Sequence, residues 1–224
     1  MSLKFWVRLS AVCGLVALLA VMPVMAAAPQ PDPANDGWEF DIQYGMPQSI
    51  LLTLPGDAKP QLYWYITYTV TNQTGEDRYF TPEICLYTNT GQEIKADEGI
   101  NPAVFSQIKK TLGNDLLLDK SRMSGKLLQG EDNAKEGLAI FKDFDPQAGS
   151  FDIFIGGLCS NSQKVKLPVP VKVQKVNADG KLVEVDTEEI TLYKTLRLEY
   201  LVGGSAASRT NARVEFLGKE WVMR

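Results

Sequence analysis

Histidine, the side chain most often used for acid–base chemistry near neutral pH, is absent from the 224-residue chain. Its absence excludes Ser-His-Asp and Cys-His catalysis, histidine zinc sites and histidine-ligated haem. Aspartate and glutamate are plentiful, so a carboxylate pair of the glycosidase type could form, but no local motif singles one out. We therefore predict no catalytic residue, no cofactor and no enzymatic activity, with a two-carboxylate glycoside hydrolase as the less favoured alternative.

Three aspartates close in sequence, Asp143, Asp145 and Asp152, could offer carboxylate oxygens to a calcium ion. They lack the Asp-x-Asp-x-Asp-Gly spacing of a calcium loop, and two of them flank a turn that contains proline and glycine. Solvated carboxylates of a turn are the better interpretation. The sequence therefore predicts no metal site.

Two cysteines, Cys85 and Cys159, lie in apolar runs that resemble strands. In an oxidising compartment they could form one disulfide. They could equally be buried free thiols, which behave as small apolar side chains. The sequence leaves both alternatives open.

Three aromatic residues, Trp38, Tyr63 and Tyr65, could form an exposed row that stacks on sugar rings. The alternative is that both faces of the strand carrying the two tyrosines are buried, one under a second sheet and the other under a helix or loops. Aromatic side chains serve mostly in cores and interfaces, which favours the alternative.

The N-terminus has the pattern of a secretory signal peptide. Lys4 and Arg8 precede an uncharged apolar run from Leu9 to Met25, and an alanine run follows it. We predict a signal peptide at residues 1–27 and a Pro-rich leader at 28–37, with an uncleaved anchor as the alternative. The protein is then extracytoplasmic: periplasmic, envelope-associated or secreted.

Charge narrows the range of partners. The formal net charge is −4, and loss of Lys4 and Arg8 with the signal would make it −6. Nucleic acid and anionic membrane surfaces require a basic face, so neither is expected as the main partner. No later apolar run approaches the roughly 20 residues of a membrane-spanning helix. The expected partner is a protein or a polysaccharide.

Residues 38–224 read as one domain built mainly of strands. The clearest segment is 61–72, which is rich in aromatic and β-branched residues and whose two-residue alternation predicts one set of side chains that faces the core. That set is Leu62, Trp64, Ile66, Tyr68 and Val70. One short helix begins at Asn101-Pro102 and ends at Gly113. Residues 114–134 are polar and predict a connection with weak local structure, and 165–185 predict a hairpin that turns at Asn177–Gly180.

The segment from Tyr65 through Val70-Thr-Asn72-Gln-Thr-Gly75, followed by Phe80 and Leu86–Gly91, resembles immunoglobulin-like sandwich domains of exported bacterial proteins. The resemblance covers about residues 61–95. It implies an all-β, antiparallel two-sheet sandwich with one short helix inserted between strands, in a domain that binds or spaces other molecules. It carries over no ligand residues. The function we expect is a non-catalytic interaction module, with a carbohydrate-binding domain that uses exposed aromatics as the alternative.

Overall fold

The computed structural model describes residues 37–56, 58–177, 179–203, 209–210 and 212–224. The predicted signal peptide and all but Gly37 of the predicted leader lie outside the described residues. The strands are β1 Asp41–Tyr44, β2 Gln48–Leu52, β3 Gln61–Thr71, β4 Arg78–Phe80, β5 Glu83–Thr88, β6 Glu93–Lys95, β7 Gly125–Leu127, β8 Lys135–Lys142, β9 Ser150–Gly156, β10 Ser162–Val176, β11 Leu182–Gly203 and β12 Arg213–Met223; the helices are α1 Pro102–Leu112, α2 Lys120–Met123 and a 3₁₀ turn at Glu131–Asn133.

The first sheet is built around β3, the most β-branched and aromatic segment of the chain. β8 pairs with one edge of β3. On the opposite edge, β2 pairs with residues 61–65 of β3 and β1 pairs with residues 68–71. All three pairings are antiparallel. The expected all-β, antiparallel class is confirmed in this sheet and in the next one.

The second sheet has the strand order β6, β5, β9 and β11, again antiparallel. β11 is 22 residues long and changes partners along its length. Residues 182–193 pair with β10, while residues 194–203 lie between β9 and β12. β4 and β7 form a separate two-stranded sheet beside this body.

The main core lies between the two large sheets. Trp64, Ile66, Tyr68 and Val70 of β3 project from the first sheet and are at most 3 % exposed. They pack in one cluster with side chains of the second sheet, including Leu86, Ile153, Leu198 and Tyr200. Full burial of such a side chain stabilises the fold by about 1.5–3 kcal/mol. The predicted inward face of β3 is confirmed at these four positions, while Leu62 is half-buried.

A second core forms on the opposite face of the first sheet, where α1 packs. The Asn101 side chain caps α1 by accepting from the amide of Ala103 at 2.9 Å, and Gly113 ends it with φ +61°. The predicted helix is thus confirmed. Its buried residues, Val104 and Ile108, share a cluster with Tyr63, Tyr65, Leu138 and Ile140. The molecule therefore has three layers: helix, sheet and sheet.

This third layer decides between the two alternatives for the aromatic row: it contradicts exposed stacking by Tyr63 and Tyr65 and bears out their burial. Tyr63 and Tyr65 are only 7 % and 5 % exposed, because they lie beneath α1. The Tyr65 hydroxyl donates to Gln48 at 2.8 Å, which satisfies its polar end. The two tyrosines are core side chains and do not form an exposed stacking row.

The connection predicted to have weak structure, residues 114–134, is also corrected. It contains α2, β7 and the 3₁₀ turn. Met123 and Leu127 within it are fully buried in the main core. These short elements are held by tertiary burial, since helices and strands of this length are marginal on their own.

Asp97 lies just after β6 and is hydrogen-bonded to β8. Its φ of +65° is in the left-handed region, which residues other than glycine seldom adopt. Its amide donates to Ile140 O at 2.7 Å, and its carboxylate accepts from the Ile140 amide at 3.2 Å. Burial raises the pKa of this carboxyl group from 3.8 to about 6. The folded protein therefore holds the proton more tightly than the unfolded chain does.

Linkage fixes the sign of the resulting pH effect. The raised pKa makes Asp97 contribute to the free energy of unfolding. This contribution is largest below about pH 4, where the carboxyl group is protonated, and is lost as the pH rises through about 6. Asn suits a positive φ, keeps the acceptor oxygen and carries no charge. Asp97→Asn should therefore raise the free energy of unfolding at pH 7.5 by about 1–2 kcal/mol and change it little at pH 4. Urea titrations at both pH values measure this, with exposed Asp132→Asn as the control.

Candidate functional site

An open cleft of about 760 Å³ lies on the outer side of the second sheet. It is bounded by β5, β6 and β9, by the loop that follows β9, and by the middle of β11. β5 and β9 point alternate side chains into the main core, and this alternation turns Cys85 and Phe154 outward into the cleft. Each strand thus contributes both to the core and to the cleft.

Arg224 closes one side of the cleft. Its guanidinium lies over the rings of Tyr87 and Phe154, at 4.3 and 4.5 Å from their centroids. It donates to Cys85 Sγ at 2.8 Å and to the Tyr87 hydroxyl, and lies 3.7 Å from Glu93. Planar stacking and several donors are properties of Arg that Lys lacks. Backbone hydrogen bonds with Tyr193 in both directions, at 2.7 and 3.0 Å, hold Arg224 in place.

Lys194 supplies a second cation at the cleft. Lys194 is not among the site residues predicted from the sequence, although its interruption of the apolar alternation of β11 is a signal that could have singled it out. Its Nζ forms an ion pair with Glu39 at 2.6 Å and lies 4.6 Å from the ring centroid of Trp221. The Lys194 side chain is only 17 % exposed. The Glu39 carboxylate and the Trp221 ring therefore replace most of the water that would surround its ammonium group.

Cys85 and Cys159, the two cysteines considered for a disulfide, both line this cleft. Both are free thiols in the structure, as in the second of the two alternatives. Cys159 Sγ donates to Lys194 O at 3.3 Å. Burial raises the pKa of the Cys85 thiol and that of the Cys159 thiol. A raised pKa keeps each sulfur protonated near neutral pH, and a protonated thiol is a poor nucleophile.

The most exposed aromatic side chains at the cleft are ones that sequence reasoning missed. Tyr79 of β4 is 77 % exposed and Tyr193 of β11 is 58 % exposed, and both line the cleft. Trp38, the third residue considered for the stacking row, also lines it. Trp38 is half-buried against Phe40, and Arg78 lies over its ring at 5.0 Å. The sequence feature that could have identified Tyr79 and Tyr193 as exposed is their alternation with inward-facing neighbours. That alternation does not show that the two side chains lie at the same cleft.

The charges around the cleft are mixed, with cations in excess. Lys95, Lys120, Lys194 and Arg224 line it, against Glu83 and Glu93 in the lining and Glu39, which is paired with Lys194. The chain as a whole has a negative net charge, so the net charge of this cluster is opposite in sign to that of the chain. A ligand that carries negative groups would be attracted to this region.

The three aspartates considered for calcium have separate partners. Asp143 accepts from the indole of Trp64 at 3.0 Å, and Asp152 forms an ion pair with Arg197 at 2.8 Å. Asp145 accepts from the amide of Gln147 at 2.8 Å, the turn role that its sequence predicts. Within the described ranges, no group of three or more acidic or cysteine side chains could hold a metal ion.

Comparison with family models, with curated proteins and with solved structures found no match for this chain. Among the described residues, no helix is long and apolar enough to cross a membrane.

Proposed function

We propose that this chain is an exported, non-catalytic immunoglobulin-like module whose cleft binds a segment of an acidic polysaccharide outside the cytoplasm. The observation that carries the proposal is the cleft itself, where two exposed tyrosine rings border a cluster with excess positive charge. The export part rests on the basic, apolar and alanine segments of the N-terminus.

The strand order supports the immunoglobulin-like part of the proposal. β3 and β8 are neighbours in the first sheet, while β5 and β9, which follow them in the chain, are neighbours in the second. The chain thus crosses between the sheets three times, from β3 to β5, from β6 to β8 and from β8 to β9, as it does in Greek-key sandwiches. β1 and β2 would together correspond to the first strand of such a domain.

The side chains suit a sugar polymer. Tyrosine rings present flat apolar faces to the C–H groups of a pyranose, and ammonium and guanidinium groups donate to hydroxyl and carboxylate oxygens. Tyr79 and Tyr193 are exposed enough for the first role. Lys95 and Lys120 line the cleft and suit the second role. An open cleft leaves much of the ligand hydrated, so we expect a Kd on the order of 10 µM to 1 mM.

The chemistry of the cleft favours binding over catalysis. Its two thiols are held protonated by burial, and the chain has no histidine to act as their base. Glu93, one of the two carboxylates at the cleft, lies 3.7 Å from the guanidinium of Arg224. Arg224 thus lies beside one of the two carboxylates that a glycosidase mechanism at this cleft would need.

Replacing both tyrosines tests the proposal. Polygalacturonate and neutral dextran are titrated into the exported protein and followed by calorimetry. We expect polygalacturonate to bind more tightly, and Tyr79→Ala with Tyr193→Ala to weaken its binding by about 10-fold or more. Leu116→Ala, at a side chain that is 70 % exposed and away from the cleft, is the control and should bind as the original does.

Two results would contradict the proposal. One is the absence of binding to either polymer, or binding that the tyrosine replacements leave unchanged. The other is release of reducing ends from the polysaccharide during incubation, which would indicate a hydrolase.

A further inference from the structure

The first described residues of the chain pair with the segment that leads into β10. Glu39 forms an antiparallel bridge with Cys159. Two backbone hydrogen bonds make this bridge, from Phe40 N to Leu158 O at 2.8 Å and from Ser160 N to Trp38 O at 3.1 Å. Trp38 N donates in turn to the Ser160 hydroxyl at 3.1 Å. This short pairing fixes the direction and the register in which the residues before Trp38 approach β10.

The edge of β10 that continues this pairing is open in the described part of the chain. Backbone groups of successive residues in a strand point to opposite edges. Asn161 O accepts from Lys194 N at 3.0 Å, so Asn161 faces β11, whereas Ser160 faces Trp38. The next residues of β10 on the Trp38 side are Ser162, Lys164 and Lys166. Among the described residues, no strand pairs with β10 on that side.

The register of the bridge sets the last residues of the predicted leader beside this edge. Counting back from Glu39 opposite Cys159 gives three pairs, Asp36 with Ser162, Ala34 with Lys164 and Asp32 with Lys166. Gly37 falls opposite Asn161 in the same register. A Cβ built at Gly37 would lie 2.2 Å from Asn161 Oδ1, which places these two residues side by side as the register requires.

The prolines of the leader fit this register. They occupy alternate positions, at Pro29, Pro31 and Pro33. In the register of the bridge, the ring nitrogens of all three point away from β10, and proline is tolerated at a sheet edge when its nitrogen faces solvent. The amides of residues 32, 34 and 36 point towards β10. Residues that precede proline favour extended backbone, so the leader is biased towards a strand.

The prolines of β10 set the other end of the pairing. Pro168 and Pro170 follow Lys166 on the open edge and offer no amide to a neighbouring strand. The register of β10 with β11 is also interrupted between Lys166 and Val171. The open edge therefore offers donors and acceptors from Ser162 to Lys166, the length that residues 32–36 cover.

Charges match across this pair of segments. Asp32 falls directly opposite Lys166, whose side chain is exposed. Lys164 lies diagonally from both Asp32 and Asp36, and it also forms an ion pair with Glu189 at 3.0 Å. Opposite charges on directly facing or diagonal positions of one sheet face attract each other. The leader thus brings two carboxylates to an edge that carries two lysines.

We infer that residues 32–36 form an antiparallel strand on the open edge of β10 in the same chain and end the second sheet on that side. The outward prolines then leave few amide donors for a strand of another molecule, which is one way in which proteins protect a sheet edge. The N-terminal segment of the exported protein is thereby a structural part of the sheet. The inference does not depend on what the cleft binds.

Amide hydrogen exchange of the full exported chain, resolved by residue with NMR, tests the strand. We expect the amides of Ala34, Asp36 and Lys164 to exchange at least about 10-fold more slowly than in an unstructured chain. Asn35, whose amide points outward, should exchange at close to the unstructured rate. The protection should be the same from about 20 to 500 µM protein, because both strands belong to one chain.

Two results of this measurement would overturn the inference. One is equal exchange of the Ala34 and Asn35 amides relative to their unstructured rates. The other is protection that is lost on dilution, which would show that the strand comes from a second copy of the chain.

A single proline distinguishes the two edges of the proposed strand. Ala34→Pro removes an amide that donates to β10, so the Lys164 amide should lose about 10-fold or more of its protection. Asn35→Pro is the matched control, since it removes an amide that points outward and should leave Lys164 as protected as before. Both changes lie before the first described residue, outside the packed cores. Equal effects of the two variants on Lys164 would contradict the proposed register.

Discussion

Gly157→Ala should lower the free energy of unfolding by about 3 kcal/mol or more, and we expect it to be among the most damaging single-methyl additions to this protein. Gly157 has φ +82°, where L side chains are strained. A Cβ there would lie 2.2 Å from Thr81 O and 3.2 Å from the carbonyl carbon of Thr81. Both are backbone atoms of the connection between β4 and β5, so neither can turn away as the tip of a side chain does.

Gly149→Ala is the matched control. No heavy atom lies within 4 Å of a Cβ built at Gly149, and its φ is not in the positive range. We expect a change within about 0.5 kcal/mol. Urea denaturation followed by tryptophan fluorescence measures both variants. If Gly157→Ala is as stable as Gly149→Ala, the tight approach of the loop after β9 to Thr81 is not real.

The same substitution bears on the cleft, because Gly157 and Thr81 both line it. If the loop moves away from Thr81, the position of Cys159 changes with it. The cleft should therefore become more accessible before the protein unfolds. Faster reaction of a thiol reagent with the Gly157→Ala variant under native conditions would report this opening, with Gly149→Ala as the reference.

Asn72→Ala should lower the free energy of unfolding by about 2–4 kcal/mol. Asn72 is fully buried after β3. Its amide nitrogen donates to Glu76 O at 2.8 Å and to Leu127 O at 2.9 Å. Its side-chain oxygen accepts from the amide and the hydroxyl of Thr74, at 3.1 and 2.8 Å. Alanine removes all four bonds and leaves buried backbone groups without these partners.

Two further changes make this prediction specific. Asn72→Asp keeps the acceptor oxygens but loses both donated bonds and adds a buried charge, so it should also destabilise the fold by about 2 kcal/mol or more. Gln73→Ala removes an exposed side chain whose amide donates to Glu131 at 3.1 Å, and should change stability by less than about 0.5 kcal/mol. Thermal unfolding of the three variants measures the differences. Equal stability of Asn72→Ala and Gln73→Ala would contradict the buried network.

Asn72 also connects the turn to the cleft, and therefore to the ligand binding that we propose. By reaching Leu127 it ties the end of β3 to β7, and β7 pairs with β4, which carries Tyr79. A partly loosened Asn72 variant should therefore lose ligand binding at the Tyr79 side of the cleft before it loses the main core.

Local sequence predicted the elements whose cause is local. The alternation of β3 identifies the side chains from Trp64 to Val70 that enter the core, because successive side chains of a strand point to opposite faces. The bounds of α1 follow from Asn101, Pro102 and Gly113, since the capping bonds and the left-handed end involve only neighbours in the chain. The turn at Asn177–Gly180 follows in the same way.

What covers each face was decided by tertiary structure alone. Alternation placed Tyr63 and Tyr65 opposite the main core, but a strand has no information about which later segment will pack on its other side. α1 packs there, 40 residues on, and buries both rings. The elements within 114–134 were missed for a related reason, since they depend on burial of Met123 and Leu127 and not on local periodicity.

The amino-acid sequence alone determined that this is an all-β chain without histidine chemistry, because composition and alternation are properties of residues and their immediate neighbours. Only the tertiary structure decided that Cys85, Cys159, Tyr193 and Arg224 border one cleft, since they come from β5, the loop after β9, β11 and the end of β12. Only the tertiary structure also decided that residues 182–193 of β11 pair with β10 while residues 194–203 join the body of the second sheet. A strand shows the same two-residue period whether its neighbour is the rest of the sheet or a single partner.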